Sequence, residues 1–286
     1  MALALVTGSN SGIGLATTIA LARAGHTVAA TMRDLERGNE LRRFIEHEKL
    51  PIRLATIDVN DDDSVRDGFA KVVAQDGPID ILVNNAGIPG GGAVEETPLD
   101  LFRHVMETNF FGGLRCIKAV LPSMRERRRG TIVNVTSVAG RIAMAPQASY
   151  AASKWAFEAL SECLAQEMRP FNVRVAIVEP GVIATPIFTK ARAPQAESPH
   201  PHSKRLRALF AALLAKPTPP SVVADAIREI VDGDSWQLRY PVGPDAVPAL
   251  KWRASKTDEQ IVEEASESDE AFVARVKRDY GLDVAL

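Results

Sequence analysis

The sequence is poor in cysteine and has no strong excess of charge of either sign. Its 286 residues include two cysteines, Cys116 and Cys163, and neither belongs to a CxxC motif or a Cys/His cluster. This spacing argues against a disulfide scaffold or a zinc site, so we interpret both as small core or interface residues. The formal net charge of −2 provides no basic surface for nucleic acid or for an anionic membrane.

Long apolar runs are also missing. No stretch approaches the roughly 18 to 20 apolar residues that a membrane-spanning helix needs. The N-terminus lacks the succession of basic, apolar and cleavage-site regions that marks a secretory signal, because residues 2–7 run directly into glycine-rich sequence. We therefore expect a cytoplasmic protein with neither a membrane nor a nucleic acid as its partner.

Short apolar runs alternate with longer helical patterns along most of the chain. The runs predict strands at Ala2–Thr7, Thr27–Met32, Ile52–Ile57, Ile79–Asn84, Thr131–Thr136, Val173–Val178 and Gln237–Val242. The helical patterns lie at Gly12–Ala24, Leu35–Glu48, Asp62–Gln75, Leu99–Arg127, Ala148–Met168 and Ser221–Val231. This alternation predicts an α/β fold of the Rossmann type: a doubly wound, mostly parallel, seven-stranded sheet with helices on both faces.

Two regions depart from that alternation. Residues 186–220 contain prolines, histidines and an apolar helical pattern, and long insertions of this kind are often lids over a site. A surface excursion with no role is the alternative. From about residue 255 the chain continues as a polar, acidic helical tail. Since no repeat or low-complexity linker divides the chain, we expect a single domain over residues 1–286.

A glycine-rich turn follows the first predicted strand. The sequence reads TGSNSGIG from Thr7, with glycines spaced GxxxGxG, and a helical pattern begins at once. Glycines at such a turn let the backbone approach a pyrophosphate and let the N-terminus of the helix face it. The turn therefore predicts dinucleotide binding by Gly8, Ser9, Ser11, Gly12, Ile13 and Gly14, although glycine also serves ordinary tight turns.

The end of the second predicted strand bears on the choice of cofactor. NAD enzymes usually carry an acidic residue there to bind the ribose 2′-hydroxyl, but Met32 occupies the place and Arg33 follows it. A guanidinium suits a 2′-phosphate, which favours NADP(H) over NAD(H). Asp34 leaves NAD(H) possible, because it could either bind the ribose or cap the next helix.

Further motifs follow in order: NNAG at Asn84, Asn109 in a helical pattern, Ser137 after the fifth strand, YAASK from Tyr150 to Lys154, and Pro180-Gly181. Together with the glycine-rich turn, they resemble the short-chain dehydrogenase/reductase family over about residues 2 to 245. The segments TMRD and SKWAFEALSECLA are similar to hydroxysteroid-dehydrogenase-like members. The resemblance implies hydride transfer between a nicotinamide cofactor and an alcohol or ketone.

Chemistry of this kind needs a group that handles a proton at the substrate oxygen. A tyrosine has an ordinary pKa of about 10, too high for an efficient base near neutrality. Lys154 stands at i+4 from Tyr150, and its cation would stabilise tyrosinate. Ser137 can hydrogen-bond the substrate oxygen. The resemblance further implies that Asn109 holds a water in a proton relay and that Lys154 grips the nicotinamide ribose.

The same resemblance implies other cofactor contacts. Asp58 would meet the adenine, although capping or turn formation explains it equally well. Asn85 is expected to tie adjacent strands together. The remaining implied contacts are Val59, Asn84, Ala86, Gly87, Pro180, Gly181, Ile183 and Thr185.

The expected substrate wall is mostly apolar: Ile88, Pro89, Val138, Ile142, Met144, Pro146, Val182, Ile187, Phe188, Leu206, Leu209 and Phe210. It predicts a hydrophobic secondary alcohol or ketone as substrate, with Arg141 at the solvent rim. We interpret His200 and His202 as solvent-facing residues rather than catalytic or metal-binding ones.

Extra apolar faces on the helices at Leu99–Arg127 and Ala148–Met168 suggest self-association as a homodimer or homotetramer. Packing of the lid or the tail onto these faces is the alternative. A non-catalytic NADP(H)-binding sensor on the same fold is a second functional hypothesis, and an isomerase, epimerase or dehydratase is a third. The joint presence of Asn109, Ser137, Tyr150 and Lys154 favours the oxidoreductase.

Overall fold

The computed structural model describes residues 1–190 and 198–286, and it contains one seven-stranded sheet. The strands are β1 Leu3–Thr7, β2 Thr27–Met32, β3 Ile52–Thr56, β4 Ile81–Asn84, β5 Gly130–Val135, β6 Val173–Pro180 and β7 Arg239–Val242. Their order is β3-β2-β1-β4-β5-β6-β7, and each neighbouring pair is parallel. All seven predicted strands are confirmed, and the sheet is parallel throughout the described residues rather than mostly parallel.

Helices cover both faces of this sheet. Their bounds are α1 Gly12–Arg23, α2 Asn39–Glu48, α3 Asp62–Asp76, α4 Leu99–Met106, α5 Gly112–Arg127, α6 Ala148–Met168, α7 Ile187–Lys190, α8 His202–Leu214, α9 Pro220–Asp232, α10 Ala246–Ala254, α11 Asp258–Glu264 and α12 Asp269–Tyr280. The predicted helix at Leu99–Arg127 is interrupted by a π-helical turn, Glu107–Phe111. A short 3₁₀ turn, Leu35–Gly38, precedes α2.

The two faces of the sheet form two hydrophobic cores, because successive residues of a strand point to opposite faces. In β1, Ala4 and Val6 pack into the core made with α1, α2 and α9, whereas Leu3 and Leu5 pack into the core made with α3, α5 and α6. Every residue of β1 is buried. Burial on both faces explains why this strand is apolar without alternation.

The chain reverses its winding direction between β3 and β4, so that β1 and β4 become neighbours. Ligands of doubly wound sheets bind beyond the carboxyl ends of the strands at such a switch point. We therefore expect a ligand to bind at the loops that follow β1 and β4.

The tail packs onto the helix of the predicted lid. Phe272 and Val276 of α12, together with Val284, form a small core against Ala208 and Leu209 of α8. Residues 191–197 of the predicted lid lie outside the described part of the chain. The tail therefore packs on α8 in this small core, whereas the alternative stated for the tail was packing on the helices at Leu99–Arg127 and Ala148–Met168.

The two cysteines lie in different surroundings. Cys116 is buried in the core, whereas Cys163 is exposed, and both thiols are free.

No helix in residues 1–190 and 198–286 combines the length and apolarity that crossing a membrane requires.

Candidate active site

A large cavity opens at the carboxyl ends of the parallel strands. It has a volume of about 1200 Å³ and is lined by the loops that follow β1 to β6, by α8 and by part of the tail. A volume of this size exceeds the roughly 300–1000 Å³ of common ligand pockets. The cavity has room for a ligand in two parts, such as a cofactor with a substrate beside it.

The glycine-rich turn forms the floor of this cavity beside β1. Gly8 and Gly12 adopt positive φ angles of 68° and 57°, in the region that favours glycine. A Cβ atom on Gly12 would lie 3.1 Å from the Thr185 side chain. Ser11 begins α1 in an extended conformation, and its side chain makes no capping hydrogen bond. The first amides of α1 are thus left for a ligand, which fits a pyrophosphate.

Three of the predicted cofactor residues do not line the cavity. Ser9 is completely buried, and its hydroxyl donates to Val6 O at 2.8 Å. Asn84 is buried and donates to Asn134 at 2.9 Å. Gly14 lies in the first turn of α1, pressed against the backbone of Gly8. These predictions are corrected: the three residues support the turn and the neighbouring strand rather than the ligand.

Asn85 ties the ends of β1 and β4 together, as predicted. Its side-chain amide donates to the carbonyls of Thr7 at 2.8 Å and of Gly8 at 3.3 Å. The backbone amides of Asn85 and Ala86 both donate to the hydroxyl of Thr7. This network fixes the NNAG loop against the glycine-rich turn, and Ala86 and Gly87 line the cavity there.

The far end of the cavity, beyond β2 and β3, carries one exposed cation. Arg33 lines the cavity, and Met32 beside it is buried. Asp34 is a cap: its carboxylate accepts from Glu36 N at 3.0 Å and lies 3.5 Å from Arg37. The capping alternative for Asp34 is therefore correct. Of these two neighbouring charged residues after β2, Arg33 is the one that lines the cavity.

Asp58 and Val59 line the same end of the cavity as Arg33. The Asp58 carboxylate accepts from Asn60 N at 3.0 Å, which is the turn-forming alternative. Asn60 also lines the cavity, and its buried side-chain oxygen has no partner among the described residues. Asn60 was missed at the sequence level because asparagine in such a turn is usually structural.

Ser137, Tyr150 and Lys154 meet at the opposite end of the cavity. Ser137 follows β5, and the other two lie one turn apart on α6. The Ser137 hydroxyl accepts from Ala139 N at 3.1 Å. The Lys154 ammonium donates to Val135 O at 3.0 Å and lies 5.7 Å from the centre of the Tyr150 ring. Residues from separate motifs of the sequence thus form one cluster in space.

Burial controls the protonation of this cluster. It raises the pKa of Tyr150 to about 12, against a hydrogen bond with Ser137 that lowers it. It lowers the pKa of Lys154 to about 8, against the nearby Glu158, which raises it. In the chain alone, burial outweighs the hydrogen bond with Ser137 and keeps the phenol of Tyr150 neutral. The stabilisation of tyrosinate by Lys154 together with an oxidised nicotinamide stays a prediction. A neutral Tyr150 is in the form that can give a proton.

Asn109 lies behind the cluster rather than in the cavity. It sits in the π-helical turn and is 2% exposed. Its side chain accepts from Ile88 N at 2.8 Å and donates to Ile88 O at 3.1 Å and to Ser153 at 3.0 Å. The side chain therefore positions the loop after Gly87, and its predicted role in holding a water stays a prediction.

Sequence comparison agrees with this arrangement. Residues 2–196 match the family model for short chain dehydrogenase. The chain is 34% identical over 261 residues to the uncharacterized oxidoreductase YusZ of Bacillus subtilis, covering 88% of this chain and 92% of that one. It is 42% identical over 185 residues to retinol dehydrogenase 8 of Bos taurus, covering 63% and 59%.

The chain belongs to the short-chain dehydrogenase family. It is thus an oxidoreductase of a family that binds a nicotinamide cofactor and acts on CH–OH groups. A short-chain dehydrogenase from Streptomyces avermitilis superposes with a TM-score of 0.78 and 34% identity, covering 93% of this chain and 98% of that chain.

The apolar residues predicted for a substrate wall lie around the cavity. Every apolar residue predicted for it lines the cavity, from Ile88 to Phe210. Tyr280, Leu282 and Ala249 also line it and were missed, since their sequence lies far beyond the family motifs. Arg141 does not line the cavity; it pairs with the buried carboxylate of Glu179 at 3.2 Å.

His200 and His202 are partly exposed, and both are engaged with neighbouring groups. The ring of His200 lies 2.6 Å from a Glu95 oxygen, and that of His202 lies 3.1 Å from Ala265 O. No group of histidine, cysteine or acidic residues suited to a metal ion occurs within the described residues.

Proposed function

We propose that the protein is an NADP(H)-dependent carbonyl reductase or alcohol dehydrogenase that acts on hydrophobic ketones and secondary alcohols. The observation that carries this proposal is the half-buried, neutral Tyr150 beside Ser137 at the end of an apolar cavity. A neutral phenol next to a second hydroxyl suits the delivery of a proton to a carbonyl oxygen. Apolar walls suit an uncharged, hydrophobic substrate.

The protein's part in the reaction is to bind, orient and protonate. Ser137 would hold the substrate oxygen by a hydrogen bond, and Tyr150 would give that oxygen its proton during reduction or remove it during oxidation. The nicotinamide, when bound, supplies or accepts the hydride. Lys154 would stabilise the tyrosinate left after proton transfer and bind the ribose hydroxyls of the cofactor.

The cofactor would lie across the switch point between β1 and β4. The glycine-rich turn would hold its pyrophosphate, Asp58 and Val59 its adenine, and Pro180, Gly181, Ile183 and Thr185 its nicotinamide, all of which line the cavity. Gly12 lies against Thr185, so the parts of this surface proposed for the pyrophosphate and for the nicotinamide are adjacent.

The proposed preference for NADP(H) rests on Arg33. It is exposed and lines the cavity, and the neighbouring Asp34 is occupied as a cap. Two structurally similar proteins support the proposal: an alcohol dehydrogenase from Thermococcus sibiricus complexed with 5-hydroxy-NADP, at a TM-score of 0.71, and a metagenomic short-chain oxidoreductase in complex with NADP, at 0.68.

Replacement of this arginine tests the cofactor proposal. Arg33→Ala is expected to weaken NADPH binding by about 10- to 100-fold, the effect of losing a charge-assisted hydrogen bond, and to change NADH binding little. Fluorescence titration of both cofactors measures this. Arg37→Ala is the matched control, because Arg37 is exposed nearby and contacts Asp34 instead of lining the cavity. Equal loss for both cofactors in Arg33→Ala would contradict the proposal.

The proposed hydrophobic substrate has support from the names of relatives. Retinol dehydrogenase 8 is one, and a 3-ketodihydrosphingosine reductase of Bacteroides thetaiotaomicron, 39% identical over 178 residues, is another. Both names denote alcohols or ketones with long apolar parts. A screen of ketones and secondary alcohols with NADPH or NADP⁺, followed by absorbance of the reduced nicotinamide, tests the proposed reaction.

We also propose that the protein forms a homodimer or homotetramer. Phe111, before α5, and Trp155, on α6, are 43% and 46% exposed, although both belong to helical segments that pack on the sheet. Exposed aromatic side chains of this kind suit a surface that a second copy covers. Sedimentation analysis of the wild type and of Trp155→Glu tests the proposal, since a carboxylate there should shift the protein towards the monomer.

A further inference from the structure

A cluster of charged side chains lies behind the end of the cavity that holds Lys154. It joins α6, β6, β7 and the turn after β5, and its members are Arg141, Glu158, Glu162, Glu179 and Arg239. All of them belong to the described residues, and none lines the cavity. Whatever this cluster contributes to the reaction must therefore act through another residue.

Glu158 is the member one helical turn beyond Lys154, on the same face of α6. Its side chain is 5% exposed. One carboxylate oxygen accepts from the Thr136 hydroxyl at 2.6 Å, and the other accepts from Arg239 Nε at 3.0 Å. Both oxygens are thus held in place, which fixes the carboxylate relative to the ammonium of Lys154.

Lys154 is a buried cation in need of a counter-charge. It is 4% exposed, and its ammonium donates to the uncharged carbonyl of Val135. A buried charge is costly unless an opposite charge lies nearby. The pKa of Lys154 is lowered to about 8 by burial, and Glu158 opposes that change.

The other charges of the cluster face Glu158 rather than Lys154. The Glu179 side chain is 1% exposed and receives a hydrogen bond from Arg141 at 3.2 Å, while its second oxygen has no partner among the described residues. Burial and the charge of Glu158 raise the pKa of Glu179. Arg239 spans the group, lying 3.6 Å from Glu179 and pairing with the more exposed Glu162.

We propose that Glu158 is a positioning residue that keeps Lys154 charged through the reaction cycle. Its negative charge acts across one helical turn, while Thr136 and Arg239 hold the carboxylate in place. The inference deepens the proposed function and rests on it, because that function requires the Lys154 cation next to Tyr150. Glu158 itself touches neither substrate nor cofactor in this arrangement.

The pH dependence of turnover tests this inference. The Lys154 charge is present below its pKa and is lost as the pH rises through it. Glu158→Gln removes the negative charge at nearly constant size, so the pKa of Lys154 falls. We expect the alkaline loss of kcat/KM to move to lower pH by about one to two units, as for two charges in a partly buried site.

Two further variants separate charge from structure. Glu162→Gln is the matched control: it lies one turn further along α6 and contacts the same Arg239, but its carboxyl is 51% exposed. It should leave the midpoint of the alkaline loss at the wild-type pH. Glu158→Asp retains the charge, so the midpoint of its alkaline loss of kcat/KM should lie within one unit of the wild-type pH. If Glu158→Gln does not fold, this midpoint carries the test.

A second readout needs neither cofactor nor substrate. The pKa of Lys154 is lower in the folded chain than its ordinary 10.5, so the contribution of Lys154 to the unfolding free energy should rise with pH from about 8 towards 10.5. The difference between the wild type and Lys154→Met isolates this contribution, because burial raises the pKa of Cys116 to about 12 and lowers stability above its ordinary pKa. Urea unfolding of the cofactor-free protein measures this rise, and Lys154→Met should abolish it. In Glu158→Gln the rise should begin at a lower pH, because the folded chain releases the proton sooner.

The outcomes distinguish this inference from the proposed function. An unchanged midpoint and an unchanged onset of the stability rise in Glu158→Gln would overturn the role of Glu158. An equal shift in Glu162→Gln would overturn it too, since any nearby carboxylate would then suffice. Failure of every ketone and alcohol to react would count against the proposed function, while the cofactor-free unfolding profile would still decide whether Glu158 and Lys154 are coupled.

Discussion

Tyr150→Phe should lower kcat by about 10²- to 10⁴-fold, the usual contribution of a positioned acid or base. The variant lacks only the hydroxyl, so the ring that lies beside Lys154 remains. Removal of this hydroxyl leaves no charge unpaired, and the fold should persist. Steady-state kinetics with a reactive ketone and saturating NADPH measures the loss.

Cofactor binding provides the control for this variant. Dissociation constants for NADPH in Tyr150→Phe should stay within about threefold of the wild type, a difference below 1 kcal/mol. Tyr240→Phe is a suitable comparison, since Tyr240 lies on β7 and does not line the cavity. Full activity in Tyr150→Phe would show that another group supplies the proton, and the proposed mechanism would then be wrong.

Gly14→Ala should destabilise the protein by about 1–3 kcal/mol, the usual result of forcing a methyl group into a packed position. A Cβ atom there would lie within 3.0 Å of Gly8 O and of the Asn85 side-chain amide, closer than real Cβ atoms come. Relief of this overlap requires α1 to move away from the glycine-rich turn. The variant should therefore also lose most of its NADPH affinity.

Thermal unfolding with and without NADPH measures both effects. Gly91→Ala is the control, because a Cβ on Gly91 would meet its nearest neighbour, Pro146 O, at 3.7 Å in ordinary contact. A Gly14→Ala variant as stable as the wild type would mean that α1 and the turn separate easily, contrary to the close packing described here.

The fold was largely predictable from sequence because each part of its pattern has a local cause. Strands buried on both faces must be apolar throughout, and β1 illustrates this with five buried residues. The interruption of the helix at Glu107–Phe111 was not predictable, because its sequence continues the helical pattern. Tertiary contacts such as those of Asn109 with Ile88 and Ser153 accompany the π-helical turn.

Prediction of the site succeeded where a motif carries its own geometry and failed where partners come from distant sequence. Lys154 at i+4 from Tyr150 placed both on one helix face. The same spacing applies to Glu158, and a glutamate near the end of the apolar strand β6 was a visible signal at Glu179. Neither was interpreted, because Arg239, which joins them, lies 60 residues or more further along the chain.

Helix α8 contacts the cavity on one face and the C-terminal tail on another. Leu206 and Phe210 line the cavity, whereas Arg205 on another face is held by Asp269 of α12 at 2.8 Å. Substitutions at Asp269 would thus alter how α8 sits over the cavity without replacing any of the side chains that line it. Directed evolution of this enzyme should therefore sample the last thirty or so residues, although they lie outside the span by which its family is identified.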